Sequence, residues 1–105
     1  MKKISEAIEA GKQRGHSGEY SIEGEEYYCS AAIQKYGFVY KAHLSIIKES
    51  DMAQEAFKEC FTREFSCLKE AIRCIEESGP IKFSLFESLK GQKLFNPAFN
   101  EENET

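Results

Sequence analysis

The chain of 105 residues has no tryptophan, only two histidines and a single aspartate, Asp51. So few imidazole and aspartate groups make most hydrolytic triads hard to assemble. A Gly-rich phosphate loop, a His-Glu-x-x-His pair and a Gly-x-Ser-x-Gly elbow are also missing, and no Cys-x-x-Cys pair offers metal ligands. We therefore predict a protein that is not an enzyme and that uses no metal or other cofactor.

Long hydrophobic runs are missing too. No window reaches the ~18 apolar residues of a membrane helix, and the first residues lack the apolar segment of a secretory signal. Three of the four cysteines fall on one predicted helix at seven-residue spacing. Neighbouring ones would lie about 10 Å apart, too far for disulfides within the chain. Because reduced thiols are typical of the cytoplasm, we predict a cytoplasmic protein. Because no apolar run is long enough for a membrane helix, we expect no membrane partner.

The residues that are present are sufficient for one folded domain. The hydrophobic fraction is 41%, with 8 Phe and 5 Tyr, which indicates a real core rather than disorder. The net charge of −4 argues against a general binder of polyanions. We expect a single domain over residues 1–96 and an acidic flexible tail over residues 97–105.

The first half of the chain predicts a helix and three strands. Residues 2–14 present a helical apolar face, and residues 15–18 are expected to form a loop. Between Glu19 and Lys48, apolar and polar residues alternate with the period of two that is typical of strands. Turn signals at 23–25 and 35–37 divide this region into a three-stranded antiparallel meander with one buried face.

The second half predicts one long helix. From Asp51 to Ser78 the apolar residues follow the helical period, and Gly79 with Pro80 is a strong stop signal. We expect the phenylalanines of this helix to pack on the meander. A short helix over residues 84–90 is expected to follow. The prediction is an α+β fold with the element order α-β-β-β-α-α.

The predicted order of helix, three-stranded meander and helix resembles the double-stranded RNA-binding domain over residues 2–78. In that family the loop between the first two strands and the start of the second helix contact RNA. The matching segments here are the acidic Glu23-Gly24-Glu25-Glu26 and Asp51-Met52-Ala53-Gln54-Glu55, which would repel phosphate. The resemblance is therefore one of topology, and it implies no RNA contact at these two segments.

Two features of the predicted long helix suggest functional hypotheses. Glu64 falls in the middle of its apolar face, where a carboxylate must be paired or protonated. We predict a buried carboxylate that is hydrogen-bonded to a tyrosine hydroxyl or to an arginine such as Arg14, or else a gap where the apolar face is open to solvent. Small residues along one edge of the helix would let a second copy approach closely, which predicts a homodimer. That dimer seam consists of Ala53, Cys60, Cys67 and Cys74.

Aromatic and acidic residues of the meander suggest a binding surface. Exposed aromatic rings anchor protein interfaces, and an acidic protein can block a basic partner by charge complementarity. We therefore predict a small protein-binding module that serves as an adaptor, an inhibitor or an immunity-type antagonist. The predicted contact residues are Tyr28, Tyr36, His43, Glu23, Glu25 and Glu26.

Two alternatives stay open at the level of sequence. In the first, the tyrosines stack on bases while Lys35, Lys41, Lys48 and the basic N-terminal helix contact phosphates, which would make this a nucleic-acid-binding domain. In the second, Glu64 is the general acid or base of an enzyme whose pocket lies between helix and sheet. The acidic charge weighs against the first alternative, and the missing catalytic motifs weigh against the second.

Overall fold

The computed structural model describes residues 2–50, 57–88 and Leu94. The described strands form one antiparallel sheet with the order β4-β3-β2-β1-β5. The elements, in chain order, are helix α1 (Lys2–Glu9), strands β1 (Arg14–Ile22), β2 (Glu25–Tyr36), β3 (Val39–Lys48) and β4 (Phe57–Phe65), helix α2 (Leu68–Ser78), a 3-10 helix (Phe83–Leu85) and strand β5 (Glu87–Ser88).

The sheet has two faces that differ in their surroundings. The inner face packs against α1 through Ile8 and against α2 through Ala71 and Ile75, and all three side chains are buried. Strand residues of the inner face complete this core. They include Cys29, Ala31, Ile33, Ala42, Leu44, Ile46 and Phe61. The outer face points away from both helices, and its side chains are those at the alternate positions of each strand.

The predicted three-stranded meander is wrong in its number of strands. Three predicted strands are present, but β1 begins at Arg14, so the segment 15–18 that was expected to be a loop lies inside it. Gly15 has a steric role in that strand, because a Cβ at this position would lie 2.2 Å from the backbone oxygen of Ala31. The glycine permits close approach of two strands, and its loop-like composition misled the prediction. The turn at Gly37 is confirmed, with a φ of 63°.

The predicted long helix over 51–78 is wrong. Its middle part is strand β4, and only Leu68–Ser78 is helical. The phenylalanines at 61 and 65 explain the error, because a spacing of four residues lies on one face of a helix and also on one face of a regular strand. Residues of high strand propensity, with Cys60 and Thr62 between phenylalanines, favour the strand. The fourth strand also removes the element order on which the resemblance to the double-stranded RNA-binding domain depended.

The ends of the predicted long helix have different outcomes. The stop before Gly79 is confirmed, because α2 ends at Ser78. The expected start near Asp51 lies outside the described residues. The short helix predicted over 84–90 is wrong as far as residue 88, because Phe83–Leu85 is a 3-10 helix and Glu87–Ser88 pairs with β1. Its last two positions also lie outside the described residues.

Candidate functional site

The outer face of the sheet carries the aromatic residues that the sequence singled out. Tyr28 and Tyr36 are 36% and 52% exposed. They lie eight residues apart on β2, so roughly 26 Å of strand separates them. Phe38, in the turn beyond Tyr36, is 95% exposed. The two tyrosines therefore belong to opposite ends of the face and do not form one compact patch.

His43 lies between these ends and is less accessible than the tyrosines. It pairs with Ala32 of β2 and Thr62 of β4, and its Nδ1 lies 3.0 Å from the Thr62 Oγ1. Burial lowers the pKa of His43 below its usual value, and a backbone hydrogen bond with Phe61 opposes this shift. The half-buried imidazole is thus held in its neutral form more strongly than a histidine in water.

Three glutamates surround Tyr28 on the outer face. Glu19 of β1 pairs with Tyr28, and Glu26 lies two residues before it on the same side of β2. Glu49 lies one residue beyond the last pair of the β2–β3 ladder, Tyr27 with Lys48. Glu19, Glu26 and Glu49 are called the acidic cluster below.

The carboxyl groups of the acidic cluster interact with one another. The pKa of Glu49 is raised by a side-chain hydrogen bond with Glu19, then by partial desolvation, then by the negative charges of Glu19 and Glu26. A raised carboxyl pKa means that the ionised form is disfavoured in the folded protein. The exposed ring of Tyr28 therefore lies in a negative field that costs the fold some stability.

The two other predicted glutamates lie close to this cluster but differ in their surroundings. Glu23 is exposed in the β1–β2 turn, with a positive φ of 51°. Glu25 forms an ion pair with Lys48, whose Nζ lies 2.8 Å from its Oε2. Glu23 therefore adds negative charge to this end of the sheet, while the charge of Glu25 is balanced by a lysine.

Glu19 and Glu49 were missed as site residues. The sequence contained a signal for both of them, because a two-residue turn fixes the register of a hairpin. Counting back from the turn at 23–24 places Glu19 opposite Tyr28. Counting from the turn at 37–38 likewise brings Glu49 close to Glu26. The correct register therefore predicts the cluster, whereas single-residue inspection does not.

The sheet lysines that supported nucleic-acid binding are all engaged with carboxylates. A lysine in an ion pair contributes less positive potential toward a phosphate than a solvated one. The pairs are Lys35 with Glu9 at 3.3 Å, Lys41 with Glu64 at 2.7 Å and Lys48 with Glu25 at 2.8 Å.

The expectation of a buried Glu64 is wrong. Residue 64 lies on strand β4 rather than on a helix, and its side chain points to the outer face with 48% exposure. Its partner Lys41 is the buried member of the pair, with 6% exposure. Arg14 and a tyrosine hydroxyl, the expected partners, are not the groups that bind Glu64 in the described structure. Glu64 therefore does not lie between a helix and the sheet, where the enzyme alternative placed it.

The predicted dimer seam loses its geometric basis with the long helix. Cys60 lies on β4, Cys67 precedes α2 and Cys74 lies within α2, so the three thiols do not share one helical edge. Ala53 lies outside the described residues. The fourth cysteine, Cys29, is buried in the core, where burial raises the pKa of its thiol.

No family model, curated protein or solved structure matches the chain. In the part of the chain that the structure describes, neither helix has the length and apolar character needed to cross a membrane. Among the same residues, no three His, Cys, Asp or Glu side chains are grouped in a way that would hold a metal ion.

Proposed function

We propose that this protein is a small non-enzymatic binding module that recognises a basic region of another protein through the outer face of its sheet. The contact is centred on Tyr28 and the acidic cluster. The observation that carries the proposal is geometric: the strand register places Glu19 and Glu26 beside the exposed ring of Tyr28, with Glu49 next to Glu26.

The arrangement is unfavourable for the isolated protein, which is why it supports a binding role. Like charges close together on a sheet destabilise it. Local features that oppose the fold are expected at functional sites, where they are compensated by a ligand. A lysine or arginine placed among Glu19, Glu26 and Glu49 would remove the repulsion and gain charge-assisted hydrogen bonds.

The ring of Tyr28 adds an attraction of the same sign. A cation within about 6 Å of an aromatic face is attracted by its electron density. Tyrosine also offers a large, rigid contact area of the kind that anchors protein interfaces. The ring and the three carboxylates therefore favour the same chemistry in a partner, namely exposed arginine or lysine.

A module of this kind acts as an adaptor, an inhibitor or an immunity-type antagonist of a protein with a basic surface. The negative field would speed association with such a partner and make it sensitive to salt. We also propose a cytoplasmic location, which the reduced thiols of Cys29, Cys67 and Cys74 support. The ion-paired sheet lysines weigh against the alternative of nucleic-acid binding.

Affinity capture from the native host tests this proposal. Three baits are compared: the wild type, the triple variant Glu19→Gln/Glu26→Gln/Glu49→Gln, and a charge-matched control with Glu6→Gln/Glu70→Gln/Glu87→Gln at exposed positions on other elements. We expect a protein that the wild type and the control retain and that the cluster variant loses. Equal recovery on all three baits, or no partner on any, would contradict the proposal.

A further inference from the structure

A concave feature lies on the inner face of the sheet, at the same end of the strands as the acidic cluster. It is a cleft of about 290 Å³ between the end of α2 and the inner face. Its apolar wall is formed by Ile22, Ile46 and Pro80, and its charged groups belong to Lys58, Glu59 and Glu77. The volume is at the lower limit of the roughly 300–1,000 Å³ of small-molecule pockets, so it suits a single side chain.

A bulge in β4 brings two neighbouring charged residues to this cleft. Ile46 pairs with Glu59 and Ile47 pairs with Phe57, so Lys58 is the extra residue of the pairing. In a regular strand, successive side chains point to opposite faces, but a bulge turns one of them. Lys58 accordingly lies over the ring of Tyr27, an inner-face residue, with its Nζ 5.2 Å from the ring centroid.

The other wall of the cleft depends on Gly79. A Cβ at this position would lie 3.2 Å from the Ile46 Cδ1 and 3.3 Å from the Leu44 Cδ1. The glycine thus lets the last turn of α2 approach β3 closely. Glu77, two residues before Gly79, is exposed and lines the cleft together with Glu59.

The charges of the cleft select a cation. Glu59 and Glu77 contribute two carboxylates and Lys58 contributes one ammonium group, so the side chains that line the cleft carry a net negative charge. The carbonyl end of α2 adds partial negative charge at the same place. An alkyl chain with a terminal ammonium or guanidinium group would place its carbons on the isoleucines and its charge between the carboxylates.

We propose that this cleft receives one lysine or arginine side chain of the basic partner. The inference rests on the proposed function and deepens it, because it assigns a pocket for an anchor residue on the inner face, at the same end of the sheet as the acidic cluster. Binding interfaces obtain most of their affinity from a few side chains that fill such pockets. The shared chemistry, a cationic head on an apolar stem, identifies the ligand class.

A titration followed by NMR tests the inference with defined probes. The ¹⁵N-labelled protein is titrated with Nα-acetyl-arginine amide, Nα-acetyl-lysine amide and, as a neutral control, Nα-acetyl-norleucine amide. We expect saturable shifts at the Gly79 and Glu59 amides with the two cationic probes and no saturation with norleucine. Absence of saturable shifts at the cleft, or equal binding of norleucine, would overturn the proposal.

Two exposed glutamates on α2 supply matched variants. Glu77→Gln should weaken the cationic probes about two- to fivefold, the effect of losing one exposed ion pair. Glu70→Gln, in the first turn of the same helix, should leave their binding unchanged. Equal effects of both variants would mean that general charge, and not the cleft, attracts the probes, and this would overturn the inference.

Failure of this inference is distinguishable from failure of the proposed function. If Glu77→Gln retains the captured partner with wild-type affinity while the acidic-cluster variant loses it, only the cleft assignment is wrong. If neither variant affects capture, the binding role of this end of the protein is wrong as well.

Discussion

Lys41 Nζ lies 2.7 Å from Glu64 Oε1, yet the lysine side chain is 6% exposed and the glutamate side chain 48%. The two residues form a direct cross-strand pair between β3 and β4. A half-exposed carboxylate therefore balances the charge of a buried ammonium group. The pair has a structural function, because a buried charge without a partner is costly.

Removing the charge of Glu64 should destabilise the protein. We expect Glu64→Gln to lower the free energy of unfolding by about 1 kcal/mol, because the buried Lys41 ammonium loses its ion pair with Glu64 while Glu64 itself is partly solvated. Urea denaturation at neutral pH measures the change. In the Lys41→Met background, Glu64→Gln should have little further effect, since the buried charge is already gone. An equal loss in both backgrounds would contradict this account of the pair.

Two glycines of β1 offer a matched steric test. Gly15→Ala should destabilise by about 2–4 kcal/mol, because its Cβ would lie 2.2 Å from the backbone oxygen of Ala31 and the strands must separate. Gly18→Ala should destabilise the protein much less, because the Cβ at this position would lie 3.4 Å from its nearest atom, the His16 Nε2. Thermal unfolding of the two variants decides the matter, and a Gly15→Ala protein as stable as Gly18→Ala would show that β1 is misplaced.

The carboxyl repulsion around Glu49 should appear as a pH-dependent effect on stability. Its folded pKa is raised above the usual 4.5, so the folded protein binds this proton more tightly than the unfolded chain. The resulting stability is present below pH ~4.5 and is lost as the pH rises through the folded pKa. Glu49→Gln should therefore stabilise the protein more at pH 7 than at pH 4. A stabilisation that is larger at pH 4 would contradict the cluster.

His43 should make the protein sensitive to mild acid. Burial lowers its folded pKa below 6.5, so the unfolded chain binds the proton more tightly than the folded protein. Stability should fall as the pH drops from about 6.5 through the folded pKa. His43→Gln should flatten the pH profile in this range, whereas His16→Gln should leave the fall in place. Urea denaturation between pH 5 and pH 8 provides the profile, and identical curves for the wild type and His43→Gln would refute the assignment.

The parts of the fold that the sequence predicts correctly are those with an unambiguous local signal. Alternation along β2 and β3, the positive φ of Gly37 and the stop before Gly79 depend only on neighbouring residues. Strand β4 has an ambiguous signal, because its phenylalanines fit both periods. Strand β5, of two residues, exists through its pairing with Arg14 and Gly15, which no local pattern specifies.

The candidate site, like the fold, could be predicted from the sequence only in part. Tyr28 and Glu26 could be selected from the sequence as exposed aromatic and acidic residues. The pairing of Tyr28 with Glu19 and the position of Glu49 beside Glu26 require the register of three strands. The prediction of a buried Glu64 failed because burial depends on whether its segment is a helix or a strand. Which side chains lie beside one another therefore depends on the strand register, and it cannot be predicted from single residues.

The affinity for the captured partner as a function of salt tests the central claim most directly. Between about 50 mM and about 300 mM salt, we expect the wild type and the Glu6/Glu70/Glu87 control to lose affinity steeply, because screening weakens attraction between exposed charges. The Glu19→Gln/Glu26→Gln/Glu49→Gln variant should bind at least tenfold more weakly at low salt and show a shallower slope. Equal affinity and equal slope for this variant and the control would contradict the claim that these three glutamates recognise a basic partner.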